Sequence, residues 1–178
     1  MALWVAAEVW LQVRQFRRSG RTARTEWRTL LAIAVLSGGS LALAGPAARA
    51  LPGLSFPVAW ALPALLVLTW AGIALRLWSI HTLGRFFRGT VHVQEGHQVV
   101  DWGPYRRLRH PAYSGALLAA TATTLSFGNA ASFAVVMGAL GLAVGYRIRV
   151  EERILAQALG ASYTGYAART HRLVPGVW

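Results

Sequence analysis

Two short stretches hold most of the residues that could do chemistry. The first runs Gln94-Glu95-Gly96-His97-Gln98-Val99-Val100 and resumes at Gly103-Pro104-Tyr105-Arg106-Arg107-Leu108-Arg109-His110-Pro111-Ala112-Tyr113-Ser114-Gly115. Gly103-Pro104 forces a turn, and Pro111 suits the first turn of a helix, where its missing N–H costs nothing. His110 and Tyr113 then stand at a helix N-terminus, whose free N–H groups can hold a carboxylate. The second stretch is Arg147-Ile148-Arg149-Val150-Glu151-Glu152, at the end of an apolar run. On a helix, Arg147 and Glu151 are four apart and share a face. An exposed pair of that kind is worth under about 1 kcal/mol. Two adjacent acids among arginines at a membrane boundary point to more than a surface pair. Arg106 and Arg107 read as surface anchors, and His81, His92 and His171 as interfacial or structural groups. No HxxxH or HExxH pattern occurs, so no metal site is expected. The absence of Cys excludes thiolate catalysis and thiolate metal ligation.

The elements that must position these residues are membrane helices. Of 178 residues, 55% are apolar and 13% charged, against about 25% charged in a water-soluble domain. All 18 basic residues are Arg, and the formal charge is +12. The arginines lie between apolar runs, where the positive-inside rule puts them, so nucleic-acid binding is not expected. The runs are 29–45, closed by Gly45-Pro46; 58–75, kinked by Pro63 and ended by Arg76; and the pair 113–127 and 131–146, joined by Gly128-Asn129 as a helical hairpin. Residues 3–13 read as a short or tilted first crossing, since they fall below the roughly 20 residues a span needs. Trp60, Trp70 and Trp78 are candidate interfacial anchors. The expectation is an all-α polytopic membrane protein of about five transmembrane helices, one domain over 1–178, with a cytoplasmic cofactor pocket. Loops 14–28, 76–112 and 147–178 carry 6, 6 and 5 Arg, while 46–57 carries one. The three rich loops are therefore read as cytoplasmic, with the chain in the cell's inner membrane.

Arg109-His110-Pro111-x-Tyr113-x-Gly115, Glu151-Glu152, Gly160-x-x-Tyr163-x-x-Tyr166 and Leu173-Val174-Pro175-Gly176 together resemble the isoprenylcysteine carboxyl methyltransferase family. The resemblance covers roughly residues 70–178, a catalytic core, and nothing in the first 50 matches. It implies S-adenosylmethionine as cofactor, with Gln94, His97, Gln98, Val99, Val100, Tyr105, His110, Pro111, Ala112, Tyr113 and Glu151 lining its pocket. Arg147 would face the acceptor carboxylate. The stretch from Gln94 to His97 is shorter than in the eukaryotic enzymes.

Methyl transfer from a sulfonium is chiefly a matter of positioning. A carboxylate acceptor is already ionised and needs a cation to orient it, which Arg147 can supply bidentately. Glu151 would accept hydrogen bonds from the cofactor's amino or ribose groups. The partners implied are a lipophilic or prenylated substrate and the surrounding lipid. A phenolic lipid or a phospholipid amine would fit the same pocket, and a proton would then have to leave through His110 or Glu152. Two rival readings stay open at this point. One is a membrane reductase using NADPH on a sterol-like alkene, which shares the RHPxY element. The other is a non-enzymatic scaffold whose arginines grip anionic lipid.

Overall fold

An apolar chain without water can satisfy every backbone N–H and C=O within one segment only as an α-helix. The computed structural model describes residues 27–84, 99–176 and 178, and these form helices. They are α1 (Trp27–Ala50), α2 (Leu62–Leu83), α3 (Pro111–Leu125), α4 (Ala130–Leu159) and the short α5 (Ala161–Ala168), with 3-10 turns at Pro52–Leu54, Ala59–Ala61 and Gly103–Arg106. Among the described residues there is no strand, only isolated bridges of Ser55 with Asn129 and Leu108 with His171. The expected first crossing at 3–13 lies outside the described residues.

Three of the helices, α1, α2 and α4, end later than the sequence suggested. α1 continues through Gly45-Pro46 and stops at Ala50. Membrane helices tolerate an internal proline, and just before it the Ser132 hydroxyl of α4 donates to the Ala44 carbonyl at 2.6 Å, tying the two helices together there. The stop comes instead before Pro52, whose ring keeps Leu51 out of helical geometry (φ −128°). α2 places Pro63 in its first turn, where it starts the helix rather than kinking it. It also runs on past Arg76, because that guanidinium turns inward to the Ala112 carbonyl at 3.1 Å. Trp70 sits well inside α2, while Trp60 and Trp78 stand nearer the two ends of this segment.

Ala59–Leu83 and Ala130–Leu159 are long and apolar enough to cross a membrane. A soluble core helix of this composition would be covered by its neighbours, yet only 6% of the apolar window of the first is buried. Its exposed Leu66, Val67 and Trp70 suit a lipid surrounding. The 30 residues of α4 reach about 45 Å at 1.5 Å per residue, well beyond a hydrocarbon layer of about 30 Å. The helix can therefore cross and still carry its charged end out of the apolar layer.

α1 packs chiefly on α4, and α2 on α3, with α3 and α4 adjoining as the expected hairpin. At one end of the bundle the loop after α1 is stitched to the hairpin turn. Phe56 N–H donates to the Gly128 carbonyl at 2.8 Å, and Asn129 Nδ2 donates to Ser55 Oγ at 3.1 Å. The Asn129 side-chain oxygen also caps α4 by accepting from Ser132 N–H at 3.0 Å. Charged residues gather at the opposite end.

The α2–α3 crossing is set by two glycines. A Cβ at Gly72 would stand 2.6 Å from the Gly115 carbonyl oxygen, and one at Gly115 would stand 2.5 Å from the Gly72 carbonyl oxygen and 2.7 Å from Arg76 N. These neighbours are backbone and cannot rotate away. Gly115→Ala should therefore lower stability by about 3 kcal/mol, the upper end for overpacking. Gly138→Ala meets nothing within 4 Å and should be neutral or stabilising by helix propensity. Equilibrium unfolding in mixed micelles compares the two, and equal stabilities would contradict a backbone-limited crossing.

Candidate functional site

The site begins with a turn. Gly103 has φ +59°, a conformation that favours glycine, and its Cβ position lies 3.3 Å from the Thr82 side chain at the end of α2. The following 3-10 turn buries Pro104 and Tyr105. The Tyr105 carbonyl accepts a 2.8 Å hydrogen bond from Tyr166 Oη, and the same hydroxyl lies 3.2 Å from the Leu108 carbonyl. Burial, reinforced by the charge of Glu151, pushes the Tyr105 phenol far above its ordinary value. Burial does the same for Tyr163 and Tyr166 on α5. All three therefore stay protonated at neutral pH.

Pro111 then opens α3, as the sequence suggested, with His110 as the residue before it. The histidine is buried, yet its side chain makes no capping hydrogen bond. Its backbone is held on both sides: the N–H donates to the Arg172 carbonyl at 3.0 Å, and the carbonyl accepts from Tyr113 N–H at 3.0 Å. Nε2 lies 3.4 Å from Glu152 Oε1, but the contact is not aligned as a hydrogen bond, and the buried atom has no hydrogen-bond partner among the described residues.

Tyr113 brings the two motif stretches together. Its hydroxyl donates to Glu151 Oε2 at 3.0 Å and accepts from Arg147 Nε at 3.3 Å. The direct Arg147–Glu151 separation is 3.8 Å, and the Arg147 side chain is only 3% exposed. This is not a loose surface pair. A guanidinium withdrawn from water to that degree is costly unless partnered, and the phenol and carboxylate fix its direction. Pro111 and Ala112 are buried at the base of this group, Val100 is buried, and Val99 is half-buried. Gln94, His97 and Gln98 lie outside the described residues.

The sequence reading missed the clamp behind the site. Arg109 Nε binds Glu152 Oε1 at 2.7 Å, and its Nη1 reaches the carbonyls of Ala167 and Thr170 at 2.6 Å each. Arg172 Nε takes the other Glu152 oxygen at 2.9 Å and stacks its guanidinium 5.2 Å from the Trp178 ring. Ser114 Oγ donates to the Leu173 carbonyl at 2.6 Å. The chain after α5 is thus strapped across the start of α3. The adjacency of Glu151 and Glu152 was the available signal, since neighbours on a helix point about 100° apart and need different partners.

Removing the shared carboxylate should expose the strength of the clamp. Glu152→Ala leaves Arg109 charged with only backbone partners, at a cost of about 3 kcal/mol, the lower end for a broken buried pair. Tryptic cleavage after Arg172 should accelerate with it. Arg169→Gln removes the exposed pair with Asp101 and a guanidinium 5.8 Å from the Tyr166 ring, and should cost about 1 kcal/mol. Unfolding and timed proteolysis of both variants check this, and equal effects would contradict the clamp.

Residues 64–157 match the isoprenylcysteine carboxyl methyltransferase (ICMT) family, a segment that holds His110, Tyr113, Arg147, Glu151 and Glu152. A probable protein-S-isoprenylcysteine O-methyltransferase of Oryza sativa subsp. indica is 33% identical over 112 residues, which are 62% of this chain and 59% of that protein. Protein-S-isoprenylcysteine O-methyltransferase B of Arabidopsis thaliana is 37% identical over 111 residues, 60% of this chain and 55% of that protein. The chain thus spans a little over half the length of these curated relatives. A structure of the eukaryotic intramembrane Ras methyltransferase ICMT superposes with a TM-score of 0.66 at 23% identity, over 80% of this chain and 52% of that one, a likeness of fold. Most of the chain is thereby accounted for by one family: it belongs to the isoprenylcysteine carboxyl methyltransferase family.

Proposed function

We propose that this chain methylates the carboxylate of a prenylated cysteine or a related lipid acid, using S-adenosylmethionine at a membrane face. The observation that carries the reading is the buried Arg147, steered through Nε by the Tyr113 hydroxyl beside Glu151. The names of the rice and Arabidopsis relatives point the same way. A carboxylate needs no general base. It needs a cation that binds it and removes it from water, and a planar guanidinium does this with two parallel hydrogen bonds.

The residues fit the cofactor as well. When bound, S-adenosylmethionine supplies a methyl on a sulfonium, which departs as a neutral thioether while the carboxylate oxygen forms the new C–O bond. Glu151, held by the Tyr113 hydroxyl, keeps acceptor capacity for amino or ribose hydroxyl groups. Nε2 of buried His110, 3.4 Å from Glu152 Oε1 and without an aligned hydrogen bond among the described residues, offers one further polar atom. The hydrocarbon tail of the acceptor stays among the helices while its head meets this polar end. The arginine distribution supports a cytoplasmic orientation in the cell's inner membrane.

The direct test is incubation of membranes carrying the full chain with methyl-labelled S-adenosylmethionine and a farnesylated cysteine analogue. A base-labile labelled ester is expected; label confined to ethers or amines, or no label, would overturn the reading. Arg147→Lys keeps the charge but loses the planar fork. With an acidic acceptor its kcat/KM should fall about ten- to a hundredfold, the equivalent of one hydrogen bond to a charged group, while cofactor affinity holds. Full activity of this variant would remove Arg147 from the acceptor's site. Glu151→Ala should weaken cofactor binding by about 1.5–3 kcal/mol, measured by calorimetry on detergent-solubilised protein. Unchanged affinity in a folded variant would rule out that role.

A further inference from the structure

Away from the charged cluster, a groove of about 370 Å³ opens between α1 and α4, lined by Leu36, Gly141, Leu142, Ala143, Gly145, Tyr146 and Arg149. Its shape follows from register. Gly141, Gly145 and Arg149 are four apart and form one stripe about 12 Å long on α4. A Cβ at either glycine would meet nothing within 4 Å, so the furrow along the stripe is open. Leu36 closes one wall from α1, and Leu142 and Tyr146 form the next stripe on α4. The groove is apolar for most of its length and ends in a phenol and a guanidinium. Arg149 makes no ion pair with any carboxylate among the described residues, and it is exposed. It lies about 200° round the helix from the buried Arg147, so the groove faces away from the methyl-transfer cluster.

An apolar furrow that ends in a cation with no carboxylate partner among the described residues, where a helix leaves the hydrocarbon layer, matches one kind of molecule in its surroundings. We propose that this groove is a binding site for an anionic phospholipid, with an acyl chain along Gly141 and Gly145 and the phosphate paired with Arg149. Tyr146 flanks the headgroup, as aromatic residues do at the membrane surface. A neutral lipid would fill the furrow equally well but would leave the guanidinium without a net negative partner. Selectivity for net charge is thus the mark of the site. This inference does not rest on the methyltransferase reading, because neither Arg147 nor Glu151 lines the groove.

Native mass spectrometry of the full chain tests it, after incubation in neutral detergent with equal amounts of phosphatidylglycerol and phosphatidylcholine. The wild-type chain should retain phosphatidylglycerol in preference. Arg149→Gln should lower that preference about fivefold, one basic residue's share of attraction to an anionic lipid, without endangering the fold at an exposed position. Gly145→Leu fills the furrow and should lower retention of both lipids. Arg153→Gln, an exposed arginine one turn further along the same helix, should keep the wild-type preference. The proposal is overturned if Arg149→Gln behaves as wild type, or if Arg153→Gln loses as much as Arg149→Gln. It is also overturned if the wild-type chain retains neither lipid, as it would were another segment of the chain to fill the groove.

Discussion

The carboxylate of Glu152 organises the polar end of the molecule. One oxygen takes Arg109 from the loop before α3 and the other takes Arg172 from the chain after α5. Three segments far apart in sequence therefore meet on one side chain of α4. Arg109 extends the junction, since its second nitrogen collects two carbonyls near the end of α5. The Ala167 carbonyl belongs to the last turn of α5, where no residue further along the helix can reach it, and the Thr170 carbonyl lies just beyond. A cation placed at them satisfies the backbone and complements the negative end of the helix dipole. With the tail fixed, the carbonyl of Arg172 is in place to receive the His110 N–H, and the residue before α3 is set.

That placement feeds the cluster in front of it. Pro111 can open α3 only where the preceding residue is non-helical, and His110 has φ −127° and ψ 53°. Two residues on, Tyr113 then points at Arg147 and Glu151. The phenol is more than a spacer: it donates to the carboxylate and accepts from the guanidinium, so each hydrogen bond polarises the other. The arrangement resists collapse into a plain Arg–Glu pair, whose direct separation is 3.8 Å. It thereby keeps a cation and an anion side by side as separate groups, which the proposed acceptor and cofactor would require.

The helices were legible in the sequence because long apolar runs leave the backbone no alternative. Their ends were less so. Arg76 looked like a terminator, but its guanidinium finds the Ala112 carbonyl on a neighbouring helix, a tertiary contact that no local pattern announces. Gly45-Pro46 looked like a stop for the same reason, and α1 passes through it. In the site, the four-residue spacing of Arg147 and Glu151 revealed a shared face, and Pro111 revealed the start of α3. The insertion of Tyr113 between that pair depends on the helical hairpin's register, which spacing alone does not give. Nothing local marks Arg109 out as a clamp, because a positive loop beside a membrane needs no further explanation; its partners lie at Glu152, Ala167 and Thr170, more than forty residues away.

One physical rule sorts the charges of α4. Successive residues turn by about 100°, so five ionisable groups within seven positions cannot share an environment. Arg147 and Glu151 fall about 40° apart and face Tyr113. Glu152, a further 100° on, faces the tail and its two arginines. Ile148 lies between these directions and is completely buried, an apolar divider between the two polar clusters. Arg149 and Arg153 fall on the remaining side and are exposed. About two helical turns thus carry the proposed recognition pair, a structural clamp and the edge proposed to meet lipid. Shifting any of these residues by one position would turn it by about 100° and carry it away from the partners it has now.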